Sequence, residues 1–187
     1  NEAKDIDWDR LADVVHIATR FLDNVIDANR YSVAEIEKMT KTTRKIGLGV
    51  MGFADMLVNL GLPYNGEEGL ALGYRVMKFI RDESDKTSEE LALERGSFPG
   101  YKGSVYDQQG RPMRNACRLT VAPTGTISMI AGCSSGIEPL FSLCYHKHNI
   151  LEGESLVYVD NNFEKTAKDE LFYSEELMEF LADGGSI

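Results

Sequence analysis

The stretch DIDWDRLADVVHIATRFLDNVIDAN, residues 5–29, constrains the fold more than any other. Trp8, Leu11, Val14, Val15, Ala18, Phe21, Leu22, Val25 and Ile26 recur at helical spacing, while Asp9, Arg10, Asp13 and Arg20 hold the opposite face. Asp7 stands where an N-cap is needed, with acidic residues in the first turn. A helix this amphipathic must bury its stripe, and the pattern predicts a helix packed on a sheet rather than one awaiting a partner.

The rest of the chain alternates in kind. YSVAEIEKMTKTTR predicts a short second helix. RKIGLGVMGFADMLVNLGLPY places Gly47, Gly49 and Gly52 beside apolar residues, then a helix to Leu60, ended by Gly61 and Pro63. The G-x-G-x-x-G spacing lacks the long preceding strand and the later acidic residue of a dinucleotide site, so the glycines read as sites of close packing. A long helix follows to Gly96, with Leu70, Leu72, Val76, Met77, Phe79, Ile80, Leu91 and Leu93 on its apolar side and a possible bend at Gly73. A Gly- and Pro-rich excursion, SFPGYKGSVYDQQGRPMRN, leads to the strand ACRLTVA. PLFSLCYHK and SLVYVD read as strands, and YSEELMEFLADGG as a last helix capped by Ser174. Interspersed helices and strands indicate an α/β architecture, a layered fold or a barrel.

Composition excludes several classes. With 187 residues, the chain is one sizeable domain or a large piece of one. A formal net charge of −10 disfavours nucleic-acid and anionic-membrane binding, whose generic affinity comes from Lys and Arg. No run of apolar residues is long enough for a membrane span, and the polar, acidic opening is unlike a signal peptide. Cys117, Cys133 and Cys144, an odd number without zinc spacing, predict reduced thiols and a cytoplasmic location. His16, His146 and His148 are too scattered for a metal site, although His146 and His148 would share one face of a strand.

Residues 121–139, VAPTGTISMIAGCSSGIEP, crowd small hydrogen-bonding residues behind a strand. Gly125 has no Cβ to keep a ligand off the backbone, and Thr124, Thr126 and Ser128 add hydroxyls. Successive N–H groups in a tight turn form an anion nest, which suits a phosphate without a basic surface. The Lys of a P-loop is absent. From the residues alone two readings stand, a phosphate site and an ordinary turn. Glu138 is either a pocket carboxylate or a loop residue.

The ordered set RKIGLGVMGFADML, MRNACRLTVAPTGTISMIAGCSSGIEPLFSLCYHK and LVYVDNNFEK resembles the catalytic large chain of ribonucleotide reductase, most of all its adenosylcobalamin (vitamin B12)-dependent type. The likeness spans roughly residues 5–168. It implies part of a ten-stranded α/β barrel of the ribonucleotide reductase and glycyl-radical-enzyme type, and cytoplasmic reduction of ribonucleoside di- or triphosphates to deoxyribonucleotides by thiyl-radical chemistry. It also implies that Thr124, Gly125, Thr126, Ile127 and Ser128 hold the substrate phosphates. The family's radical cysteine stands in an N-x-C-x-E motif. Asn115-Ala116-Cys117 lacks the Glu, because position 119 is Leu.

Residues 1–187 are therefore expected to be a single domain, the C-terminal part of the catalytic barrel, with no catalytic residue and no metal ligand of its own. The segment alone is expected to be inactive. The expected partners are a ribonucleotide, the remainder of the catalytic chain and, through an exposed edge and apolar face, a second copy, with no nucleic acid or membrane. Two other readings are a stand-alone nucleotide-phosphate-binding or regulatory module and the reductase type that uses a separate small subunit.

Overall fold

The computed structural model describes residues 5–147 and 156–185. In chain order the elements are α1 (Trp8–Ala28), α2 (Ala34–Thr43), α3 (Phe53–Leu60), α4 (Glu67–Arg95), α5 (Val105–Gln108), α6 (Gly125–Ala131), β1 (Cys144–Lys147), β2 (Leu156–Val159), α7 (Asn161–Asp169) and α8 (Glu175–Ala182). They fall into two compact units. One comprises residues 1–50 and 65–122, the other residues 51–64 and 123–187.

In the first unit α1 lies against α4. Asp7 caps α1 by accepting from Arg10 N, as its sequence position predicts. α4 is a single helix through Gly73, and Gly96 (φ 85°) ends it. Its buried stripe runs through Leu72, Val76, Ile80, Ser84, Ser88 and Leu91, whereas Leu70 and Leu93 are exposed.

The apolar stripe of α1 divides in the same way. Val15 and Ile26 are buried, but Val14, Phe21 and Val25 are 42–63% exposed, and Thr19 and Asp23 are fully buried in their place. The reason is a polar cluster beneath the helix. Arg44 donates through Nε to Asp23 Oδ1 (2.9 Å) and through both terminal nitrogens to Asp27 (2.8 Å each). Asn115 Nδ2 donates to Asp23 Oδ1 (2.9 Å) and to the Arg44 carbonyl (3.0 Å), and Ser88 Oγ donates to Asn115 Oδ1 (2.9 Å). Arg114 and Arg95 face the other Asp23 oxygen at 3.3 and 3.5 Å. A buried carboxylate is stable only when it is matched in this way.

The segment expected as the strand ACRLTVA instead makes a single parallel bridge, Leu48 with Leu119. Ile46 N donates to Cys117 O (2.9 Å), Leu48 N to Arg118 O (2.7 Å) and Thr120 N back to Leu48 O (3.0 Å). The pairing is too short to register as a strand. Gly47 and Gly49 permit it: a Cβ on Gly49 would stand 2.9 Å from the Thr120 carbonyl oxygen, and one on Gly47 would stand 3.0 Å from the Thr120 methyl. This is close packing of chain on chain, where the sequence suggested strand on helix.

In the second unit α3 lies between two left-handed glycines, Gly52 (φ 78°) and Gly61 (φ 74°). β1 and β2 pair antiparallel with Cys144 opposite Val159 and Tyr145 opposite Tyr158, shorter than the strands expected there. Cys144, Ala167, Met178 and Leu181 close a small core beneath the hairpin, with Val157, Phe163 and Leu177 packed around it. Ser174 caps α8 by accepting from Leu177 N, as expected, whereas α7 is a helix the sequence reading missed. His148 lies outside the described residues.

Candidate functional site

The residues from Pro123 to Ser128 form the start of α6. Thr124 sits in the left-handed region (φ 54°, ψ 21°), where a β-branched residue is strained by about 1–3 kcal/mol. Its hydroxyl offsets this by accepting a hydrogen bond from Gly136 N (2.7 Å). The first bond inside α6 runs from Ser128 N to Thr124 O (2.9 Å), so the amides of Gly125, Thr126 and Ile127 precede any intrahelical acceptor. Gly125, Thr126 and Ile127 are exposed, and a Cβ built on Gly125 meets no atom within 4 Å.

Ser128 differs from its neighbours. It is buried, and its hydroxyl lies 2.9 Å from Ser135 Oγ and 3.3 Å from the Gly125 carbonyl oxygen. The hydroxyl of Thr126 is thus the exposed one of the three that the sequence singled out. Thr124 and Ser128 spend theirs on holding the loop.

Three consecutive residues do that holding. Ser134 N donates to Asp55 Oδ2 (2.6 Å), and Gly52 N donates to Ser134 O (2.8 Å). Ser135 meets Ser128, and Gly136 N meets Thr124. Asn162 Nδ2 reaches the other Asp55 oxygen at 3.3 Å. Asp55 was not singled out in the sequence. Its only signal there was an acidic residue in the first turn of an otherwise apolar helix.

A cleft of about 260 Å³ opens beside these residues. Gly125, Ser128 and Ser135 line one part, Glu138 and Asp160 another, and the mutually tilted rings of Phe141, Tyr145 and Tyr158 (centroids 5.2 and 4.8 Å apart) a third. Glu138 therefore faces a pocket. Cys133 lines it too, against Gly52, and burial, with the Asp55 charge second, pushes its thiol above the ordinary range. Cys144 is buried in the hairpin core and Cys117 is exposed, and all three are free thiols. His146 Nε2 lies 2.9 Å from Asp183 Oδ1, and among the described residues no three His, Cys, Asp or Glu side chains gather as a metal site. No helix of the described residues is long and apolar enough to cross a membrane.

The family model described as "Ribonucleotide reductase, barrel domain" matches residues 1–185. A Thermoplasma acidophilum protein named vitamin B12-dependent ribonucleoside-diphosphate reductase is 54% identical over 186 residues, covering 100% of this chain and 24% of that protein. A Mycobacterium tuberculosis protein of the same name is 44% identical over 182 residues, covering 97% of this chain and 26% of its own length. The solved class Id ribonucleotide reductase alpha subunit of Actinobacillus ureae superposes with a TM-score of 0.75 at 23% identity, over 92% of this chain and 31% of that one. The chain spans about a quarter of the length of the two curated relatives.

Proposed function

The chain belongs to the ribonucleotide reductase barrel-domain family, and on that premise we propose that the protein it forms part of reduces ribonucleoside diphosphates to deoxyribonucleotides. The chain's own share is to hold the substrate by its phosphates. One profile matches residues 1–185, which supports reading both compact units as parts of one barrel domain whose remainder lies elsewhere in the protein.

The observation that carries the phosphate assignment is the exposed first turn of α6. The amides of Gly125, Thr126 and Ile127 offer donors without intrahelical acceptors, and the Thr126 hydroxyl adds another. Backbone donors suit a diphosphate because they bind the anion without the basic surface that a net charge of −10 excludes. Thr124 and Ser128 serve by fixing the backbone that presents these donors. With the phosphates fixed, the ribose is oriented for radical chemistry whose cysteine stands elsewhere in the protein.

Two relatives are named for vitamin B12, which supports cobalamin as the cofactor of the whole protein. The cleft beside the loop does not fit it. The 260 Å³ cleft is smaller than the ~300–1,000 Å³ of sites for drug-sized ligands, and a corrin is larger still.

The test is Gly125→Val in the full-length protein, read by titration with a ribonucleoside diphosphate. The open space at Gly125 means the fold accepts the side chain while the ligand meets it. Binding is expected to weaken at least about tenfold, the equivalent of about 1.4 kcal/mol. Unchanged affinity would overturn the phosphate assignment.

A further inference from the structure

We propose that Asp55 is a positioning residue for the substrate phosphates, acting on the loop through the strap Ser134–Ser135–Gly136. The inference rests on the phosphate assignment above and goes beyond it, since Asp55 lies in α3 and its side chain bonds Ser134 and Asn162, not Thr124–Ser128.

The geometry is a short chain of contacts. Asp55 Oδ2 accepts from Ser134 N at 2.6 Å, a charge-assisted bond of the strong kind, and Asp55 N donates to Ser134 Oγ at 3.3 Å. Gly52 N on Ser134 O (2.8 Å) and Phe53 N on Gly136 O (3.4 Å) add backbone ties from the same end of α3. The next two strap residues carry the constraint onward: Ser135 Oγ to Ser128 Oγ (2.9 Å), and Gly136 N to Thr124 Oγ1 (2.7 Å). Each of the three residues thus holds a different point, and the two far points bracket the amides assigned to the phosphates. Thr124 needs the support, because its left-handed conformation is one a free Thr leaves. Asn162 Nδ2, at 3.3 Å from Asp55 Oδ1, keeps the second carboxylate oxygen matched.

A carboxylate near an anion site would repel the ligand if it faced it. Asp55 lines the same cleft as Gly125 and Ser128, but both its oxygens accept from donors of the protein, Oδ2 from the strap and Oδ1 from Asn162. Removing the carboxylate leaves Ser134 only the bonds from Gly52 N and Asp55 N and loosens the hold on Thr124. Misplacing a positioning group by about 1 Å costs on the order of 100-fold in rate.

The experiment uses the full-length reductase with Asp55→Ala, Asp55→Asn and Thr124→Val, each assayed for KM, kcat and thermal midpoint. Asp55→Ala is expected to raise the KM for a ribonucleoside diphosphate about tenfold with a smaller change in kcat. Asp55→Asn, whose amide oxygen still accepts from Ser134 N, should recover most of it. Thr124→Val should raise KM similarly, and the double variant Asp55→Ala/Thr124→Val should fall short of the product of the two effects, because both break one strap. A lowered midpoint with KM unchanged in Asp55→Ala would overturn the inference and leave Asp55 a structural residue. If Asp55→Ala does not fold, Thr124→Val decides: an unchanged KM there, with the hydroxyl that accepts from Gly136 N removed, would equally overturn it. Gly125→Val separates the two readings, since loss of binding there with a normal KM in the Asp55 variants refutes the positioning role alone, whereas unchanged binding in Gly125→Val refutes the phosphate assignment itself.

Discussion

Replacing Asp23 with Asn should destabilise the first unit by about 3 kcal/mol, at the lower end of the ~3–5 kcal/mol for breaking a buried ion pair. The substitution keeps the shape and removes the charge. Asp23 Oδ1 accepts from Arg44 Nε and Asn115 Nδ2, both at 2.9 Å, and an amide oxygen in that place would keep both bonds. The other oxygen faces Arg114 at 3.3 Å and Arg95 at 3.5 Å, and an amide nitrogen there would set a donor against two cations. Arg44 retains Asp27, which moderates the loss; Asp23→Ala, which also strips the Oδ1 bonds, should cost about 5 kcal/mol. Set against a typical domain stability of about 5–15 kcal/mol, either loss is large. The assay is native-state hydrogen exchange at the amides of Ile46, Leu48 and Thr120, whose bonds lie beside the cluster. A loss of about 3 kcal/mol speeds exchange there on the order of 100-fold. A change below about 1 kcal/mol for both variants would refute the idea that Asp23 anchors this unit.

Gly49→Ala should destabilise by about 1–3 kcal/mol, because its Cβ would meet the Thr120 carbonyl oxygen at 2.9 Å, a backbone atom that moves only with its chain. Gly47→Ala, which meets only the Thr120 side chain at 3.0 Å, should cost less; chemical denaturation of the two variants gives the order, and equal losses would count against close packing as the role of these glycines. Alkylation by iodoacetamide should label Cys117 first, Cys133 later and Cys144 last, following their exposure. Since the nucleophile is the thiolate and the Cys133 thiol is pushed up, its labelling rate should still be climbing at pH values above the ordinary Cys pKa of about 8.5; a plateau below that pH, read by mass spectrometry, would contradict the assignment.

Helix ends were legible in the sequence because the signals are local. Asp7, Gly61, Gly96 and Ser174 each stop or start a helix within a residue or two of the bonds that define it. The buried face of α1 was not. Apolar spacing counted Val14, Phe21 and Val25 into the core, but Arg44 and Asn115 come from distant parts of the chain and draw Asp23 inward instead. α7 was passed over because NNFEKTAKD is mostly polar, although Asp160 before it accepts from Asn162 N and Phe163 N as an N-cap does. The loop Thr124–Ser128 stood out by its small residues, but the division of labour within it did not. That Ser128 turns inward to Ser135 while Thr126 stays outside depends on the strap folding back, and the Asp55 that holds the strap is 79 positions from Ser134.

Asp23 draws its partners from three separated stretches, at residues 44, 95 and 114–115, and Ser88 joins through Asn115. Parts of this chain can therefore be traded between relatives only along certain seams. A chimaera that takes residues 51–64 and 123–185 from a relative leaves every partner of Asp23 in place. A crossover between Asp23 and Arg44, or between Ser88 and Asn115, joins halves that were never selected together and depends on both parents having the same buried charge, hydroxyl and amide. Sequence shuffling across relatives should recover crossovers at the first kind of seam far more often than at the second.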